Sequence, residues 1–266
     1  AWEDRFSYEF VKSQYDLAVA TGQVASFNQE LMLRITSDEE RLILEGDIQW
    51  YRRKSLLANK GNFNFYITTD FATSEKDSGD YSVISVWALN NSGDWFWVDG
   101  LCKRQLMNAN IDALFKFAQE YSPQSVGVEV TGQQGGFIQW IQGEMMTRNV
   151  WFNLASDNNS NRPGIRPNTN KMVRFNTVLP WFKAGKMFFP EELKDQPVMM
   201  EAMDELRMAT VEGFKSKHDD FVDTISMLSL LKTWKPSQAV EATTQENGIW
   251  AIQESPETGG IDSYLV

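Results

Sequence analysis

The stretch from residue 64 to residue 99 most restricts what this chain can fold into. Residues 64–70 form a β-branched and aromatic run that stops on an acid, Asp70, and a polar loop with the turn pair Ser78-Gly79 follows. Residues 81–89 form a second such run, Ser92-Gly93-Asp94 supplies a hairpin turn, and residues 95–99 form a third. Consecutive strands with short connections are usually neighbours, so these three predict an antiparallel meander. Beyond it the period changes: Ile111, Leu114, Phe115, Phe117 and Ala118 predict a helix over 110–121. The compact run 125–130 then reads as a buried strand, the glycine-rich 132–136 as a turn, 137–146 as a helix and 150–154 as a fifth strand. A β-β-β-α-β-α-β order is that of an α/β domain with a mixed sheet flanked by helices.

At 266 residues, 42% hydrophobic and 13% aromatic, the chain can bury a sizeable core. No apolar run approaches the roughly 18 residues a bilayer span needs, and residues 1–6 lack the segments of a signal peptide, so a soluble interior protein without membrane contact is expected. The only cysteine, Cys102, excludes an internal disulfide and a cysteine-rich zinc site, and the only histidine, His218, leaves little for a histidine cluster. Any bound metal must therefore be held by oxygen. A net charge of −11 argues against coating nucleic acid, because phosphate binding rests on Lys and Arg; a nucleic-acid function would need a local basic patch. Residues 157–190 offer one: Arg162, Arg166, Lys171, Arg174, Lys183 and Lys186 stand against Asp157 alone, about +5, which leaves about −16 elsewhere. A solvated surface loop is the competing reading.

The remaining segments are plainer. Residues 2–22 read as an amphipathic helix, 42–57 as a strand followed by a helix, 181–189 as a hairpin turning at Gly185, and 191–208 as a helix. From residue 236 the acids Glu241, Glu246, Glu254, Glu257 and Asp262 occur without a Lys or Arg, which predicts partial disorder. The expected division is a joining segment at 1–57, a folded domain at 58–235 and an acidic tail at 236–266.

Ligand-bearing residues of open α/β sheets sit at the carboxyl ends of strands. Asp70 and Glu129 both stand there. Residues 217–225 (Lys-His-Asp-Asp-Phe-Val-Asp-Thr-Ile) crowd three further carboxylates, Asp219, Asp220 and Asp223, into the first turn of a helix whose Phe221, Val222 and Ile225 face a core. Acids in a first turn also serve as caps and dipole partners, and Asp219 is the expected cap. A carboxylate cluster without Cys or His suits Mg²⁺ or Mn²⁺, and a pair of such ions can hydrolyse a phosphodiester.

Three segments together, Phe65 to Ala72 with Asp80 to Val83, Val126 to Glu129, and Lys217 to Asp223, resemble the nuclease domain of tailed-phage terminase large subunits over roughly residues 45–232. The resemblance implies an RNase H-like fold and a metal-dependent endonuclease of little sequence preference that cuts concatemeric viral DNA during genome packaging. It implies Asp70, Glu129 and one acid of the Asp219/Asp220 pair, Asp220 being favoured, as the metal-binding triad with two Mg²⁺ or Mn²⁺ ions, and Asp80 as an acid beside it; Asp223 and His218 stand next to that pair in the same stretch. Lys171, Arg174, Lys183 and Lys186 would line the DNA groove. The partners implied are double-stranded DNA, a packaging ATPase domain, the portal and the small terminase subunit, in the host cytoplasm at the procapsid and not in the mature virion. No phosphate loop of the form Gly-x-x-x-x-Gly-Lys-Ser/Thr occurs in the chain, so ATP hydrolysis by that mechanism is not expected of it. Two other functions remain open on the residues alone: a non-catalytic docking module of the motor, and an RNase H-like resolvase or integrase relative.

Overall fold

A computed structural model describes residues 7–21, 27, 40–72, 81–130, 135–157, 159–216 and 218–236. Most of the polar loop with Asp80, most of the glycine-rich turn, Lys217 and the acidic tail from residue 237 lie outside them. Strands β1 (Gln49–Tyr51), β2 (Asn64–Asp70), β3 (Ser82–Leu89), β4 (Trp95–Lys103), β5 (Ser125–Val128) and, later in the chain, β8 (Met187–Pro190) make a mixed sheet of order β1-β8-β4-β3-β2-β5. β2, β3 and β4 pair antiparallel as expected, while β5 joins β2 in parallel and β8 lies parallel to both β4 and β1.

Period-two alternation sorts the side chains into two layers. On one face Tyr66, Val83, Trp87, Trp97 and Phe189 pack under α5 (Lys171–Lys183), α6 (Pro197–Arg207) and α7 (Asp220–Ser226). On the other, Phe65, Ile67, Ile84, Val86 and Val126 pack under α3 (Met107–Tyr121) and α4 (Gly135–Arg148). Every residue of β3 is buried, as a central strand covered on both faces must be. The sheet also reaches upstream of residue 58: β1 belongs to it and the short α2 (Arg53–Ala58) follows β1, while α1 (Tyr8–Thr21) is tied to α6 where the buried Arg207 meets both Tyr15 and Glu45. Among the described residues no helix is long and apolar enough to cross a membrane.

Three expected elements differ. The fifth strand at 150–154 shrinks to one parallel bridge, Val126 to Leu154, followed by the two-residue β6 (Ser156–Asp157) and β7 (Gly164–Ile165), because β5 is only four residues long and offers little edge to extend. The hairpin at 181–189 does not form. Pro180 looks like a break, yet α5 runs through it to Lys183, and Gly185 at φ +65° ends that helix, its N–H bonding to Phe182 O and the Lys186 N–H to Trp181 O. The helix predicted over 191–208 is divided into a 3₁₀ turn at Glu191–Leu193 and α6, with Pro197 at the start of α6, where its missing N–H costs nothing.

Candidate functional site

Asp70 ends β2 and shares the parity of Tyr66, so its side chain leaves the sheet on the α7 side. In β5, Val126 and Val128 face the opposite layer and Gly127 faces Met227, Leu231 and Ile165; alternation carries Glu129 to the side of Asp70. The register Thr69 to Val128 then sets the two acids on adjacent parallel strands, with the Glu129 N–H donating to Thr69 O at 3.4 Å. A Cβ on Gly127 would stand 2.9 Å from Ile165 Cδ1 and 3.2 Å from Met227 Sδ, so glycine lets the end of α7 close on the sheet here.

α7 brings the other acids. Asp220 accepts the Tyr81 backbone N–H at 3.0 Å, and Asp223 lies between two cations, 2.8 Å from Arg174 Nη2 and 2.6 Å from Lys171 Nζ. Asp219 does not cap the helix with its side chain: that carboxylate reaches Lys171 at 2.6 Å instead. The unmatched N–H groups in the first turn of the helix are served by Glu205 of α6, whose Oε2 accepts the Val222 N–H at 2.8 Å. Thr224 contacts Ser85 of β3 at 3.0 Å, which fixes the helix to the sheet.

The electrostatics are those of negative charge incompletely matched. Burial, and then the charges of Asp223, Glu129 and Asp220, push the Asp70 carboxyl well above its ordinary value against the opposing pull of Lys171. Glu129 is raised by burial and by Asp223, with Arg174 and Lys171 opposing, and its Oε2 is buried without a hydrogen-bond partner. Burial would lower the Lys171 ammonium, but Asp223 and Asp219 outweigh it and hold it above the ordinary lysine value. Glu205, enclosed in the core, is pushed up to about 9 by desolvation, despite the stabilising N–H groups of Val222 and Phe221. As they stand, no three acidic, histidine or cysteine side chains among the described residues are gathered closely enough to hold a metal ion. The donor set nevertheless fits a hard divalent cation: oxygen ligands only, an unpartnered buried carboxylate oxygen, and carboxylates that raise one another's proton affinity.

The structure thus brings Asp70, Glu129, Asp219, Asp220, Asp223, Lys171 and Arg174 together and leaves others elsewhere. Asp80 lies outside the described residues. His218 stands beside the cluster, Nδ1 4.0 Å from Asp220 Oδ2, with its ring edge-on to Tyr81. Arg104 Nη2 is 3.2 Å from His218 Nε2; the guanidinium has only protons to offer, so Nε2 accepts and Nδ1–H is the tautomer that faces Asp220. Lys183 and Lys186 belong to the far end of α5 and do not join this site. Lys183 pairs with Asp47, and Lys186 with Asp94 and Ser92 O beside the β3–β4 turn. Lys171 and Arg174 point into the acids and not onto an open groove.

Sequence reasoning missed two participants. Glu205 falls in the apolar stripe of α6 with Met199, Ala202, Met203 and Leu206, and an acid in such a stripe was the available signal. Arg104, exposed at the end of β4 with its guanidinium 4.2 Å from the Tyr81 ring centroid, carries no local signal at all.

The model of a family described as the terminase RNase H-like domain matches residues 67–231, more than half of the chain. Among solved structures, the human cytomegalovirus terminase nuclease domain soaked with manganese has the same fold, at TM-score 0.50 and 12% identity over 75% of this chain and 96% of that one. The large terminase nuclease of the thermophilic phage G20c with bound magnesium aligns at TM-score 0.44 and 15% identity, covering 72% of this chain and 97% of that one. No curated protein sequence matches. The matched span runs from β2 to the end of α7 and its 3₁₀ extension and so includes every acid of the cluster; the chain belongs to the terminase RNase H-like domain family.

Proposed function

We propose that this chain is a metal-dependent endonuclease that cuts double-stranded DNA during viral genome packaging, with little regard for sequence. The observation that carries the reading is the pair Asp70 and Glu129 on adjacent parallel strands, facing the acids of α7, with one carboxylate oxygen buried and unmatched. Asp70, Glu129 and Asp220 would hold Mg²⁺ or Mn²⁺, two ions in all, with Asp219 as the further candidate ligand. Bound there, such ions would supply an activated water and charge stabilisation at the leaving oxygen of a phosphodiester. The protein's own part is orientation. The Tyr81 N–H fixes one Asp220 oxygen, the His218 Nδ1–H faces the same atom, and Glu205 anchors the helix that carries it.

Outside the site the reading extends to a motor: the part of residues 1–57 that precedes β1 joining this domain to a packaging ATPase, the portal and small terminase subunit as further partners, and the host cytoplasm at the procapsid as the place of action. The acidic balance of the chain makes isolated DNA affinity weak. Arg104, exposed beside His218 and Tyr81, is the cation best placed to meet a phosphate at this end of the sheet.

The test is plasmid nicking with Mn²⁺ or Mg²⁺. Asp70→Asn should keep the fold and lose activity on the order of 10²–10³-fold, the scale of losing one preorganised electrostatic contact. Undiminished nicking by this variant would sink the assignment. Absence of both cleavage and any metal-dependent rise in melting temperature would favour a docking module.

A further inference from the structure

Lys171 occupies an odd position. It is the first residue of α5, a helix already capped by Asn170 through the Val173 N–H, and a cation at a helix N-terminus is disfavoured by the aligned peptide dipoles. Partial burial disfavours it further. What holds it is acidic: Asp219 and Asp223, each 2.6 Å away. Asp223 does not need it, because Arg174 already meets the other oxygen of that carboxylate at 2.8 Å. Lys171 is therefore a second cation at a carboxylate already paired, and it reaches past it to Asp219.

Resting on the metal-dependent reading above, we propose that Lys171 is the resident counter-ion of the carboxylate cluster, holding Asp219 and Asp223 in the metal-free protein and giving way when a divalent cation enters. The two cations differ in the way this requires. Arg174 is fixed, its guanidinium shared between Asp223 and the Thr169 carbonyl, with a side chain 10% exposed; Lys171 is a compact charge on a flexible stem, 27% exposed. One cation keeps Asp223 in place while the other can leave.

Calorimetric titration with Mn²⁺ and thermal unfolding with EDTA or Mn²⁺ test this without reference to cleavage. Lys171→Gln removes a like charge from the path of the metal, so Mn²⁺ should bind roughly tenfold tighter, a modest effect on the scale of one positive charge about 6 Å from a divalent ion in a water-like dielectric. In EDTA the same variant should melt below the wild type, because the acids then repel without their counter-ion, and its Mn²⁺-induced rise should exceed the wild-type rise. Lys171→Arg serves as the second variant and covers the case in which the first does not fold. A guanidinium forked across both acids resists displacement, so it should keep the melting temperature in EDTA and show a smaller Mn²⁺-induced rise than wild type. A wild-type Mn²⁺ shift matched or exceeded by Lys171→Arg, or a Lys171→Gln shift no larger than wild type, overturns the counter-ion role while leaving the nuclease reading intact. No Mn²⁺ shift in the wild type overturns both.

Discussion

The two ends of α5 carry the same kind of residue and meet opposite fates. Lys171 and Arg174 at its start are drawn in among buried acids, whereas Lys183 in its last turn and Lys186 just beyond it make isolated surface pairs with Asp47 and Asp94. About 18 Å of helix separates them, at 1.5 Å per residue. The difference lies in the sheet beneath. At the carboxyl ends of β2 and β5 the backbone delivers Asp70 and Glu129; at the other ends of the strands it delivers a hairpin turn. A cation's role is set by what the strands bring to meet it, and not by the basic stretch it belongs to.

The sharpest test of this contrast is Arg174→Met. Taking the fixed partner from a buried carboxylate should destabilise the fold by about 3 kcal/mol, read from denaturant unfolding. A loss below 1 kcal/mol would reduce Arg174 to the rank of Lys183.

Glu205 comes next, as a pH effect. Its folded value of about 9 lies above its unfolded value near 4.3, so the folded state holds the extra proton; that stability is full below about pH 4.3 and drains away as pH rises toward 9. Glu205→Gln keeps an oxygen for the Val222 N–H and removes the titration. The variant should therefore flatten the decline and melt above the wild type at pH 8–9. Parallel melting curves across that range would show that Glu205 is ionised in the native protein.

Smaller again is the effect expected of Arg104→Glu on DNA binding, where the log–log salt slope should fall by about one for the phosphate contact removed. The smallest belongs to Lys183→Met with Lys186→Met. Exposed pairs of this kind are worth roughly 0–1 kcal/mol each, and the double variant should leave the salt slope unmoved. If this pair flattened the slope and Arg104→Glu did not, the DNA groove would lie at the opposite end of the sheet.

Much of this was legible in the residues because it is local. The alternation in 64–70 and 81–89, the turn at Ser92-Gly93-Asp94 and the helical stripe ending at Tyr121 each specify their element without help from elsewhere. The strand-end positions of Asp70 and Glu129 follow from the same local signals. What could not be read depends on tertiary partners. Gly185 suits a hairpin turn and a helix terminus equally, and the packing of Phe175, Val178 and Phe182 decides for the helix. Asp219 stands in the cap position by sequence, but a lysine from α5 claims its carboxylate and a glutamate from α6 takes over the cap. The four cations of one stretch looked like one patch because sequence order conceals that a helix carries its two ends to different places.

The strand order has a consequence for how the molecule comes into being. β2, β3 and β4 pair through short connections and can form early, and β5 can join once α3 has crossed the sheet. At that stage Asp70 and Glu129 already stand side by side, without Lys171, Arg174 or α7 to cover them. The far side of the sheet is completed only when β8 enters between β4 and β1, Phe188 meeting both Phe96 and Gln49. During synthesis, then, the carboxylate cluster is among the last parts to mature, and a half-made chain carries its repelling acids without the helix that would complete them.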